Sequence, residues 1–251
     1  MTERAVSITP PELGALSEKF LGGYDRVYLG SEFCQHLLPS LNDVRALKDK
    51  GVKELTVLTP LLPTAQLRSF LKLFGRILKL YPRAELSLGD LGLMRAVNRA
   101  YGGAVPLLLA RPVSADFIRM DEAFLARFFA ENNLRLLETD EPDRVAAFKG
   151  RGIKFSFHYP FKYLSMTRLC PFVKGGACSR ACAGKILEIR QTAPYRGSFL
   201  LKNNTYFSEN SAPPPEGVAR TVFALAAGPR KEKLLSFSAA ARSKKAGGAR
   251  R

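Results

Sequence analysis

The chain has 251 residues, 46% of them hydrophobic and 24% charged, with a formal net charge of +17. This is enough apolar chain for one large domain with a sizeable core, and no charge-free apolar run of eighteen residues exists that could span a membrane. The opening Met-Thr-Glu-Arg-Ala-Val-Ser lacks the basic, apolar and small-residue order of a signal peptide, so a reduced cytoplasmic setting is expected.

In chain order, Arg4–Thr9 is short and β-branched, and Pro10-Pro11-Glu12 opens a helix predicted through Leu21. Asp25–Gly30 reads as a buried strand, followed by Glu32, Cys34 and His36. Asn42 or Asp43 caps a helix to Lys50, Glu54–Thr59 is the next strand, and Thr64 caps a long amphipathic helix carrying Phe70, Phe74 and Ile77. Ala84–Leu88 is a strand before Asp90-Leu91-Gly92 and a helix to Tyr101. Val105–Ala110 precedes Arg111-Pro112; a helix over Glu122–Asn132 leads to the strand Leu134–Glu138, and a short helix to the strand Ile153–Phe157. This alternation argues a parallel α/β sheet covered on both faces. The fold class expected is a single-domain (β/α) barrel or incomplete barrel over residues 1–210, with an open doubly wound sheet as the alternative. No glycine-rich phosphate fingerprint follows any strand.

Residues 211–251 read as a Pro-rich linker and a basic, disordered tail. Arg230 to Arg251 holds eight Lys/Arg against Glu232, a net +7 that leaves +10 on the body. Such a composition cannot bury a core, and its charge would attract a polyanion such as RNA.

Three of the four cysteines, Cys170, Cys178 and Cys182, fall within thirteen positions, and Cys34 lies far upstream. Thiolates suit zinc, copper(I) and iron–sulfur clusters, and four suffice for zinc or a cluster. Pro171 follows Cys170 as proline follows some cluster-ligating cysteines, and Arg168, Lys174 and Arg180 are interleaved as cations that favour thiolates. The bland alternative is that each cysteine is a small buried hydrophobe, but glycines and charges around these three are unlike a core segment. In barrels the working residues gather at the C-terminal strand ends. Those ends carry Glu32, Cys34 and His36, then Asp90, Arg111, Glu138 and Asp140, and His158, so Cys34 and the later cysteines could meet on one rim.

At these residues the chain resembles the collagenase-like peptidase family, class U-thirty-two. The resemblance rests on Tyr28-Leu29-Gly30 through Cys34, Asp90-Leu91-Gly92, Arg111, His158-Tyr159-Pro160 and Thr167-Arg168-Leu169-Cys170-Pro171. Within that family the cysteine plan is similar to the UbiU/UbiV branch of oxygen-independent ubiquinone synthesis. The resemblance implies a 4Fe–4S cluster on Cys34, Cys170, Cys178 and Cys182, with zinc as the alternative from spacing. It also implies a quinone-like aromatic substrate and a protein partner of the same family. Glu32, Asp90, Arg111 and His158 are the candidates to line a substrate pocket. Relatives that hydroxylate tRNA or ribosomal RNA bases make RNA a second expectation. The family's name makes proteolysis a third, although no Gly-x-Ser-x-Gly elbow is present.

Overall fold

The computed structural model describes residues 2–225 except 118, 149, 151, 168–169, 174–177, 184, 192–196 and 211–212. The tail expected over Arg230–Arg251 lies outside the described residues, as do Arg168, Lys174, Gly175 and Gly176.

Eight parallel strands close into a barrel: β1 (Glu3–Ile8), β2 (Arg26–Gly30), β3 (Leu55–Thr59), β4 (Glu85–Leu88), β5 (Leu107–Leu109), β6 (Leu134–Thr139), β7 (Phe155–Tyr159) and, later in the chain, β12 (Arg220–Ala224). β12 pairs with both β7 and β1. This corrects the expected boundary at residue 210, since the barrel continues to Ala224 inside what composition marks as linker. The Pro-rich residues 213–215 mask a five-residue strand, Arg-Thr-Val-Phe-Ala, that is too short to stand out beside them.

Between the barrel strands run α1 (Pro10–Leu13), α2 (Glu18–Leu21), α3 (Leu41–Asp49), α4 (Thr64–Leu80), α5 (Leu91–Tyr101), α6 (Arg111–Phe117), α7 (Glu122–Glu131) and α8 (Pro142–Ala147). The single helix expected from Pro10 to Leu21 is two, because Ser17 caps a new start by accepting from Phe20 N. Ser40, rather than Asn42 or Asp43, caps α3, and Asp43 answers it in a reciprocal box. Pro63, not Thr64, stands at the cap position of α4.

The strand parity explains the core. Val6, Ile8, Val27, Leu29, Val57, Leu86 and Leu109 face the helices, where α4 supplies Phe70, Phe74 and Ile77. The opposite parity fills the barrel with Ala5, Tyr28, Leu58, Leu108, Leu136 and Val222. Below that ring the same parity carries charge: Arg220 pairs with Glu3 (2.6 Å) and Glu85 (2.8 Å), and Arg26 with Glu3 (2.7 Å).

The crossover from β7 to β12 departs from the helical pattern. It is built from β8 (Phe161–Met166), β9 (Ile186–Gln191), β10 (Gly197–Lys202) and β11 (Thr205–Glu209), an antiparallel sheet in the order β8-β11-β10-β9. Phe33, Phe161, Ile186 and Phe207 form one buried cluster where this sheet meets the barrel mouth. All three downstream cysteines lie in the β8–β9 connection.

Candidate metal centre

Cys34 reaches its place through a tight exit from β2. Gly30 has φ +126°, and a Cβ there would stand 2.7 Å from Leu58 O, so only glycine fits. Ser31 Oγ then accepts from the amides of Phe33 and Cys34, each at 3.2 Å, and Cys34 begins a short 3-10 turn over Gln35–Leu37. From the other side, β8 ends at Met166 and the chain turns toward Cys170.

The two approaches meet. Cys34, Cys170, Cys178 and Cys182 all line one open pocket of about 700 Å³, with His36, Leu61, Leu62, Met166 and Arg180 among its other walls. All four cysteines are free thiols; Cys34 and Cys182 are buried, and the other two are half-buried. Burial pushes the Cys182 thiol up to about 11, with the other three sulfurs adding to the rise. Cys34 moves in the same direction, again through burial first. Four thiolates cannot share this pocket without a compensating cation. Among the described residues no three of the sulfurs lie within 4.8 Å of one another.

Glu32, Arg111 and His158, three of the predicted pocket residues, do come together, but inside the barrel mouth. Arg111 opens α6, and its guanidinium donates to both Glu32 oxygens (Nε to Oε2, 3.0 Å) and to Asp140 Oδ2 (3.2 Å). Its backbone amide adds a 3.0 Å bond to Glu32. The guanidinium carbon stands 5.3 Å from the Phe33 ring and 5.8 Å from Phe207. Burial alone would lower the Arg111 pKa, but Glu32 and Asp140 hold it above its ordinary value. Asp140 also accepts from Tyr163 N at 2.7 Å, which joins this group to β8.

Next to it, His158 Nε2 is hydrogen-bonded to Glu138 Oε2, and both side chains are wholly buried. Burial pushes Glu138 up to about 8 and holds His158 down to about 3. The pair therefore carries one shared proton at neutral pH. Donor atoms of Glu32, Glu138 and His158 lie within 4.8 Å of one another, and Glu32 is the member of this group paired with the Arg111 guanidinium.

Asp90, the fourth predicted pocket residue, stands apart from Glu32, Arg111 and His158 as a helix cap. Its carboxylate accepts from Gly92 N (2.7 Å), Leu93 N (3.1 Å) and Leu62 N (3.1 Å), so it caps α5 and ties down the β3–α4 loop. Glu138 and Asp140 stand out in sequence only as strand-end acids, and their pairing needs the fold. Asn203 and Asn204, which also line the cysteine pocket, were legible in principle. Two Asn between Phe-Leu-Leu-Lys and Thr-Tyr-Phe-Ser is a hairpin signal.

No family model and no curated protein matches the chain. In shape it is similar to a glycoside hydrolase family 18 N-acetylglucosaminidase from Paenibacillus barengoltzii, with a TM-score of 0.43 and 9% identity over 89% of this chain and 94% of that one. A likeness so distant carries no argument about chemistry.

Proposed function

We propose that the chain is an iron–sulfur protein of oxygen-independent hydroxylation, akin to the collagenase-like peptidase family, with a quinone-like aromatic precursor as its substrate. One observation carries this reading: cysteines 136 positions apart in sequence, Cys34 and Cys170, converge with Cys178 and Cys182 on one pocket. The donor set fits a 4Fe–4S cluster, with zinc as the alternative.

When bound, the cluster would supply one-electron transfer. The chain's own part is to hold four thiolates, to set Arg180 beside them, and to offer an apolar wall of Leu61, Leu62 and Met166 for an aromatic ring. A partner of the same family would cover Leu61 and Met166, which are 58% and 42% exposed. The basic body supports RNA as the alternative substrate, whose binding would weaken steeply with salt. Of the two histidines that a thiol protease could pair with Cys34, His158 is fully buried on Glu138, and His36, which lines the cysteine pocket, is the one left to such a mechanism.

The test is iron, sulfide and zinc content with a visible spectrum on protein purified without oxygen. About four irons and four sulfides per chain are expected, falling sharply in Cys34→Ala, Cys170→Ala, Cys178→Ala and Cys182→Ala taken singly. Full iron in Cys34→Ala would break the long-range ligand assignment, and zinc in place of iron would make the site structural.

A further inference from the structure

The cysteine pocket is made of two loops that approach from opposite directions. One leaves β2 and carries Cys34; the other leaves β8 and carries Cys170. Between them comes the two-residue turn of the β10–β11 hairpin, where Lys202 faces Thr205 across the ladder. Asn203 holds the left-handed backbone position, φ 59°, which asparagine tolerates better than most residues. The next residue, Asn204, is thereby presented to both loops.

Asn204 Nδ2 donates to the Phe33 carbonyl at 3.0 Å and to the Thr167 carbonyl at 3.2 Å. Its main-chain carbonyl accepts from Thr167 N at 2.9 Å. Both hydrogens of one amide are thus spent on carbonyls that lie one residue before Cys34 and three before Cys170. Asn204 itself lines the pocket that the cysteines share.

We propose that Asn204 is the positioning residue of this pocket: its side-chain amide, bonded to Phe33 O and Thr167 O, fixes the separation of the Cys34 and Cys170 loops before metal arrives. The inference rests on reading the four cysteines as a metal site. The physical gain is that ordering of the two loops is completed during folding and does not have to be offset by the metal. Groups that orient ligands in this way typically change metal retention about 10–100-fold when removed.

Asn204→Asp tests it, because the shape is kept while both donors are lost. Wild type, Asn204→Asp and Cys34→Ala would be reconstituted anaerobically with ferrous iron and sulfide. Two things are measured: the rate of iron loss to a chelator, and amide hydrogen exchange across residues 33–37 in the metal-free protein. The expected result for Asn204→Asp is iron loss at least tenfold faster than wild type and faster exchange at Leu37 and its neighbours, with a cooperative melt that shows the fold retained. Iron loss and exchange both at wild-type rates would overturn the proposal. If Asn204→Asp does not fold, Asn204→Ala replaces it under the same criteria, since it removes the donors without adding charge. Should wild type take up no iron, the metal reading fails, and the exchange rates of the metal-free protein alone then decide whether Asn204 positions the loops.

Discussion

The Glu138–His158 pair makes a prediction that can be worked out from proton counts alone. With Glu138 raised to about 8 and His158 lowered to about 3, the folded pair carries one proton across that whole range. In the unfolded chain the ordinary values are 4.5 and 6.5. The unfolded pair then carries two protons below 4.5, one between 4.5 and 6.5, and none above 6.5. Stability contributed by the pair is therefore level between pH 4.5 and 6.5. Above 6.5 the folded state binds more protons than the unfolded state, so stability falls as pH rises to about 8. Below 4.5 the unfolded state binds more, so stability falls again as pH drops to about 3. Each limb is about 1.5 pH units wide and worth about 2 kcal/mol.

Glu138→Gln keeps a neutral donor for His158 Nε2 but removes the acid. The alkaline limb should disappear, and the acid limb should begin near pH 6.5 instead of 4.5, because only the buried neutral imidazole remains to be matched. Urea unfolding followed by circular dichroism at pH 5.5, 7 and 8.5 reads both changes, and every other titrating group is common to the two proteins. The reasoning is refuted if Glu138→Gln loses stability between pH 7 and 8.5 as steeply as wild type. A wild type that shows no fall there would refute it equally.

Three further substitutions address the barrel mouth and the exit of β2 that leads to Cys34. Arg111→Met should lose about 3–5 kcal/mol in urea unfolding at pH 7, because Glu32 and Asp140 are left as buried carboxylates without their cation. Adding Glu32→Gln should recover part of that loss, and strict additivity of the two would show that the pair is not coupled. Gly30→Ala forces a Cβ against Leu58 O with φ in the left-handed region, at about 1–3 kcal/mol. It should also loosen iron binding at Cys34, four residues on; unchanged melting and iron content would argue against a constrained β2 exit.

The barrel was legible because its signal is repeated. Seven strands and their helices each carry an apolar run of the right length, as in Leu107-Leu108-Leu109, whose three side chains are fully buried. The eighth strand was not legible, because β12 follows a proline-rich stretch and its partners β7 and β1 are remote in sequence. The antiparallel sheet was hidden for a different reason: β8 and β9 are separated by the cysteine loop, and attention to the cysteines hides the alternation on either side. Strand-end position picked out Glu32, Arg111 and His158, which the fold brings together, but it could not distinguish a side chain that faces a ligand from one that faces another side chain. Asp90 is the clearest example, since a helix cap and a substrate contact both place an acid just after a strand.

That distinction changes where chemistry can happen on this barrel. At the mouth, where barrel enzymes usually work, Arg111 with its carboxylates and Phe33, Phe161 and Phe207 leave a cavity of only about 40 Å³ beneath the antiparallel sheet. Beside it, between the ends of β2 and β3 and the cysteine loop, lies a far roomier pocket of about 700 Å³. The buried ions then act at one remove. Glu32 lies two residues before Cys34, and Asp140 holds the Tyr163 amide on the strand that leads to Cys170. Arg111 bonds both acids and so links the exits of β2 and β6 to the start of β8. Arg111 spends Nε and one hydrogen on each terminal nitrogen on Glu32 and Asp140, which leaves two donors for any further partner. Arg111→Met separates a catalytic role from a positioning one by whether activity alone disappears or iron is lost along with stability.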